Sequence, residues 1–299
     1  MLPIAKFPRY LSPSSLMAYE GQPNKFYLQR MAPDPFPYDP QGAAAAVGSA
    51  FDAYVKCEIA GKLNIVLNTW KIVYGDCFLK DKKHLESLSL LELMLHLNVD
   101  GQHKEMAQAA GRDLFQRYKK LALDSLDWNQ IEINKLIYID GIPIKMKGDA
   151  AVWDDDFDGP VPLDWKVIGY TSASGASPKK GYRNIYESFK VNPSHKSFYP
   201  EIDMETIDPK WAVQLAVYGW GEGIEVGTDF PAYIDALVVR PKGMRVARYR
   251  AWIKKDFQLR LKERFEKAWE DIRSGSFVKR LGNFRGLVEL GAENENWWS

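Results

Sequence analysis

The chain has 299 residues, 46% of them hydrophobic, and 40 basic against 39 acidic side chains give a formal net charge of +1. Such a length and apolar content suit one large or two modest globular domains and exclude a disordered chain, while the balanced charge means that any polyanion must be met by local clusters. Its two cysteines, Cys57 and Cys77, exclude a disulfide framework, a four-cysteine zinc site and a four-thiolate iron-sulfur cluster.

The first element is a short helix in "LSPSSLMAYEG", capped by Ser12 with Pro13 at its first position and stopped by Gly21, and Pro23 opens a second. "DPFPYDP" (Asp34 to Pro40) is a stiff connection. From Ala43 to about Lys62 a helix is expected, with Val47, Phe51, Val55 and Ile59 as its buried stripe. Leu85 to Leu97 and Lys104 to Ala122 read as further helices, so the first half is mainly helical.

Near Trp128 the period changes. "IEINKLIYIDGIPIKMKGDAAVW" alternates apolar and polar residues around Asp140-Gly141, which predicts an antiparallel hairpin. A third strand covers Val161 to Ile168, and an irregular stretch follows from Gly169 to Asp208. "DPKWAVQLAVYGWGEG" predicts a capped helix ended by glycines. Two more strands flank Lys242-Gly243, and Asp256 to Arg273 predicts a closing amphipathic helix. The resulting fold class is α/β, with a mixed central sheet flanked by helices. Residues 1–126 form a helical part contributing to the core, and 127–299 form the core with its C-terminal helix, together one compact unit.

No leader of charged, apolar and small residues opens the chain, and no apolar run approaches the ~20 residues of a bilayer span, so a soluble cytoplasmic protein without membrane contact is expected.

The third strand carries the chemistry. In "GPVPLDWKVIGY", side chains alternate, so Leu163, Trp165 and Val167 share one face while Asp164 and Lys166 share the other. The hairpin ends in Gly148-Asp149, and neighbouring strands lie about 4.8 Å apart, so Asp149 and Asp164 at matched heights can share a small cation. Magnesium suits such a place, because it takes hard oxygen ligands and one or two carboxylates while keeping waters and a phosphate.

Asp149 followed by Asp164-X-Lys166 resembles the signature of the PD-(D/E)XK nucleases, with Gly148 before the first Asp. The likeness extends to the RecB-like exonuclease branch. "LSPSSLMAYEGQPNKFYL" is similar to its N-terminal Leu-Ser-x-Ser-x-Leu and Cys-Pro-x-x-Phe helices, "VGSAFDAYVK" to its Gly-Thr-x-x-His helix, and "VQLAVYGW" to its Gln-Leu-x-x-Tyr helix. These pieces fall in the family's order over about residues 11 to 275. The resemblance implies a restriction-endonuclease-like core, a magnesium or manganese ion held by Asp149 and Asp164, and Lys166 orienting or deprotonating the attacking water and steadying charge on the phosphate. Gln214 joins these as a catalytic residue, since the family's glutamine faces the site.

Two departures matter. Asp52 stands where the family has its helix histidine, and two readings stay open: an additional metal ligand, or a solvated helical face with Ser49, paired with Lys56 four residues on. Gln22 stands near the place of the first cluster cysteine, so an iron-sulfur cluster is not expected. Tyr218 shares an apolar stripe with Trp211 and Leu215 and reads as core, with a DNA contact as the alternative. His84, His96, His103 and His195 have no ligand-like spacing.

"SPKKGYRNIYESFKVNPSHKSFY" (Ser177 to Tyr199) mixes cations with aromatic rings. Basic groups neutralise phosphates and aromatic faces stack on unpaired bases, so Lys179, Lys180, Arg183, Tyr182 and Tyr186 are candidate DNA contacts; a solvated loop is the alternative. The resemblance implies a DNA exonuclease that processes linear ends or single strands in recombination or repair, with partner proteins for any motor, because no Gly-x-x-x-x-Gly-Lys-Ser/Thr loop is present. An endonuclease or nickase on the same core, and an inactive DNA-end-binding module, are the alternatives.

Overall fold

The computed structural model describes residues 6–37, 40–63, 89–99, 101–168, 201–202, 209–240 and 243–282. Helix α1 (Pro13–Gly21) begins as its sequence dictates: Ser12 caps it, accepting from the Ser15 N–H, and the Ser15 hydroxyl closes a capping box on the Ser12 backbone. Helix α2 (Pro23–Arg30) follows after one residue. The long α3 (Ala43–Lys62) buries Val47, Phe51, Val55 and Ile59 completely, which is the expected stripe. Next come α4 (Leu90–Asn98), opened by a Ser89/Glu92 capping box, and α5 (Lys104–Leu121). Gly111 allows α5 to lie directly on α3, because a Cβ there would stand 2.7 Å from that of Ala50.

Six strands form one mixed sheet in the order β1-β2-β3-β5-β6-β4: β1 (Trp128–Ile139), β2 (Ile142–Asp154), β3 (Gly159–Ile168), β4 (Glu201–Ile202), β5 (Phe230–Arg240) and β6 (Gly243–Ile253). The mixed sheet flanked by helices is the expected fold class. Asp140 and Gly141 both adopt positive φ, 48° and 80°, the backbone that an Asp-Gly hairpin turn requires. β2 pairs antiparallel with β3, and β3 pairs parallel with β5. Every residue from Phe230 to Leu237 is buried, as befits a strand covered on both faces. Helix α6 (Pro209–Gly221) lies against β3, β5 and β6, and Gly219 leaves room for the Phe230 ring.

The chain closes with α7 (Lys255–Arg273) and a short α8 (Ser276–Gly282), which enters through Gly275 at φ +74° and has no counterpart in the sequence expectation. Strand β4 is likewise new, two residues inside the stretch expected to be irregular; they pair parallel with β6. The rest of that stretch lies outside the described residues.

Two compact units divide the chain, and both are discontinuous, so the division does not follow a boundary near residue 126. One comprises residues 1–39, 136–146 and 256–299. There Tyr19, Phe26 and Phe277 form an aromatic cluster with centroids 5.1 to 5.8 Å apart, and Leu11 bridges to Ile144. The other comprises 40–135 and 147–255 and holds all the candidate catalytic residues. No helix among the described residues is long and apolar enough to cross a membrane.

Candidate active site

The register of β2 on β3 runs from Asp154 opposite Gly159 to Ala150 opposite Leu163, which brings Asp149 one step further on, beside Asp164. There the backbone ladder gives way to a side chain: Asp149 Oδ2 accepts from the Trp165 N–H at 3.2 Å. Alternation along β3 holds as expected. Leu163 and Trp165 are buried in the core formed with α3 and α5, and Val167 packs against it. Asp164 and Lys166 point to the other face.

That face is not open. Asp164 is 3% exposed, and its Oδ2 is ion-paired with the Lys166 ammonium. Lys166 Nζ donates to Gln214 Oε1 at 3.2 Å and stands 5.6 Å from the centre of the Trp211 ring, both on α6. The structure therefore brings Asp149, Asp164, Lys166 and Gln214 together. An isolated Asp-x-Lys on a solvated edge strand would show neither the burial nor the α6 contacts.

The electrostatics follow from this crowding. Burial pushes the Asp164 carboxyl up to about 7; Lys166 pulls against the rise and the adjacent Asp149 carboxylate adds to it. Asp149 moves the other way. Burial opposes its charge, but Lys56, Lys166 and the Trp165 amide together hold it below the ordinary carboxylate value. Burial also opposes the Lys166 charge, and Asp164 and Asp149 outweigh it, so that the ammonium is held above the ordinary lysine value. Two carboxylates in contact, one of them buried, make a donor set suited to one hard cation. Among the described residues no group of three or more His, Cys, Asp and Glu is placed to hold a metal ion. Among the described residues, Asp149 and Asp164 are the carboxylates that fit such an ion.

Asp52 does reach this cluster, through Lys56. The Lys56 ammonium lies 2.7 Å from Asp52 Oδ2 and donates to Asp149 Oδ1 at 3.2 Å. The pairing four residues on is as one of the two readings had it, but the solvated face that went with it is not found, because Lys56 is 1% exposed. Lys56 is the site residue that sequence reasoning missed. Its signal was a lysine between Val55 and Cys57 in an otherwise apolar stretch of helix, one turn beyond Asp52.

Tyr218 is buried at 7% exposure, so its ring offers no face to a base, and it leaves the set of DNA contacts for the core. Lys179, Lys180, Tyr182, Arg183 and Tyr186 lie outside the described residues.

Behind the site strand runs a buried polar network that the sequence did not suggest. The Trp165 indole N–H donates to Tyr118 Oη at 3.0 Å, Tyr118 donates to Asp235 at 2.5 Å, and Arg248 holds Asp235 through two bonds of 2.6 and 2.7 Å. Asp235 and Arg248 are directly opposite on β5 and β6. Arg248 also donates to Ser125 Oγ and to the Ala122 carbonyl.

No family model matches the chain, and no curated protein matches it. A solved structure described as a "Putative exonuclease" from Eubacterium rectale is similar to it over 89% of this chain and 82% of its own, at 13% identity and a TM-score of 0.46. That likeness is too distant to carry a function across.

Proposed function

We propose that this chain is a metal-dependent deoxyribonuclease that hydrolyses phosphodiester bonds, acting as an exonuclease on DNA ends in recombination or repair. One observation carries the reading: Asp149 and Asp164 stand side by side on paired strands, with Lys166 one step along the same face and fixed by Gln214.

Asp149 and Asp164 would hold magnesium or manganese. Such an ion, when bound, offsets charge on phosphoryl oxygens and makes water a stronger acid. The protein's own part is positioning. Lys166 is a compact cation whose ammonium is aimed by the Gln214 carbonyl and the Trp211 ring, which suits it to hold the attacking water in line and to stabilise charge gathering on the phosphate. Burial of the cluster keeps bulk water from screening these charges. For DNA itself the support is the basic and aromatic stretch from Ser177 to Tyr199, which follows the Lys166 strand directly in sequence.

The test is cleavage of end-labelled linear and closed circular DNA by the purified protein with magnesium, with manganese and with EDTA. Cutting of linear DNA alone, abolished by EDTA, is expected. Cutting of the circle would move the reading to an endonuclease or nickase, and DNA left intact with either metal would overturn it. Lys166→Met, which keeps the length of the side chain and removes its charge, should abolish cleavage while the protein stays folded.

A further inference from the structure

The Lys56 ammonium lies between two carboxylates inside the site, almost fully shielded from solvent. A buried ammonium is costly unless paired, and here it has two anions, one on its own helix and one on β2. Its distances of 2.7 and 3.2 Å to Asp52 and Asp149 are ordinary ammonium–carboxylate contacts. A magnesium ion bridging the same two oxygens would need both at about 2.0 to 2.1 Å, in the space that Nζ fills.

We propose that Lys56 is a built-in cation that limits this site to one divalent ion, and that Asp52 is its anchor, not a metal ligand. The inference rests on the reading of Asp149 and Asp164 as the metal pair. Charge supports it. Lys56 and Lys166 already set two ammoniums against Asp149 and Asp164, so a second divalent ion beside Asp149 would meet the repulsion of both ammoniums and of the first ion. Two-ion phosphodiesterases place their metals about 3.5 to 4 Å apart. The position beside Asp149 that a second ion would need is taken by Nζ. Lys56 is thus a positioning residue: it holds one oxygen of Asp149 and leaves the rest of the Asp149–Asp164 pair to the metal.

The test counts ions without DNA, by titrating manganese(II) into the metal-free protein and reading bound manganese by electron paramagnetic resonance and by calorimetry. Wild-type protein is expected to take one ion per chain. Lys56→Met removes the charge at nearly constant length and frees Asp52 and one Asp149 oxygen, so it should take a second ion and bind the first at least about tenfold more tightly, because a neighbouring positive charge is gone. A merely structural lysine would give the opposite result, weaker binding on removal. Lys56→Gln, which can still donate a hydrogen bond to Asp52, is the second variant should Lys56→Met fail to fold, and it should also admit a second ion. Lys56→Arg should keep the count at one. Two ions in the wild type, or one at unchanged affinity in the neutral variants, would overturn the proposal and leave the metal pair standing. No manganese bound by any of these proteins would remove the metal pair itself, and this inference with it.

Discussion

Replacing Asp164 by Asn should make the metal-free protein more stable at pH 8 and inactive. Burial raises the Asp164 carboxyl to about 7, whereas in the unfolded chain it titrates near the ordinary 3.8. Between those values the folded state holds a proton that the unfolded state has released, so stability falls as pH rises. The favourable contribution is complete below the unfolded value and is lost as pH passes through about 7. Roughly three pH units at about 1.36 kcal/mol each give an effect on the order of 4 kcal/mol. Asp149, whose carboxyl is lowered, acts only below the ordinary carboxylate value and does not enter this window. Urea melts in EDTA at pH 5 and pH 8 read the effect as the difference between wild type and Asp164→Asn. That difference should favour the variant by about 1 to 2 kcal/mol at pH 5 and by about 4 kcal/mol at pH 8. Magnesium binds the folded state alone and should narrow the gap by stabilising only the wild type. A difference independent of pH would mean that Asp164 does not bear the strain assigned to it.

Trp165→Ala should cost about 3 to 5 kcal/mol in a urea melt, because its ring is buried and removing its indole N–H leaves Tyr118 without a donor; a loss under about 1 kcal/mol would contradict the anchoring role. Gly111→Ala should destabilise as well, since its new methyl would meet the α3 backbone within 3 Å, and an unchanged melting temperature would show that the two helices part freely. Replacing Lys179, Lys180 and Arg183 with Ala should weaken DNA binding, measured in calcium across a salt series, and lower the salt slope by roughly one for each phosphate left unneutralised. An unchanged slope would mean that the DNA path lies elsewhere.

What was legible in the sequence is what local periodicity controls. The α3 stripe repeats at helical spacing, Asp140-Gly141 demands a left-handed turn, and alternation in β3 sorts Asp164 and Lys166 from Leu163, Trp165 and Val167. Each of these is decided within a dozen residues. Lys56 was legible only as the partner of Asp52, because burial of its ammonium depends on Asp149, more than ninety residues away. The same holds for the face carrying Asp164 and Lys166. Nothing in β3 announces that α6 will cover it with Trp211 and Gln214. Tyr118, Asp235 and Arg248 lie on three different elements and read separately as a helix tyrosine and two strand charges.

That last network bears on why the site pair keeps its geometry. Asp164 and Lys166 are useful only if β3 presents them on the α6 side, and a slip of one residue would send both into the core and Trp165 out of it. Apolar burial already resists such a slip, since it would put the charges of Asp164 and Lys166 in the places that Trp165 and its apolar neighbours fill. A hydrogen bond is more discriminating. The indole N–H of Trp165 has a single acceptor, Tyr118 Oη, and Tyr118 is held in turn by Asp235, whose two oxygens also receive Arg248. A buried ion pair contributes little net stability once its desolvation is counted, but removing one partner strands the other at a cost of several kcal/mol. Any register other than the observed one would strand this chain of polar groups. The residue between the two site charges is therefore tied to the neighbouring strand β5 and, through it, to β6, and the core side of β3 fixes where the site side points.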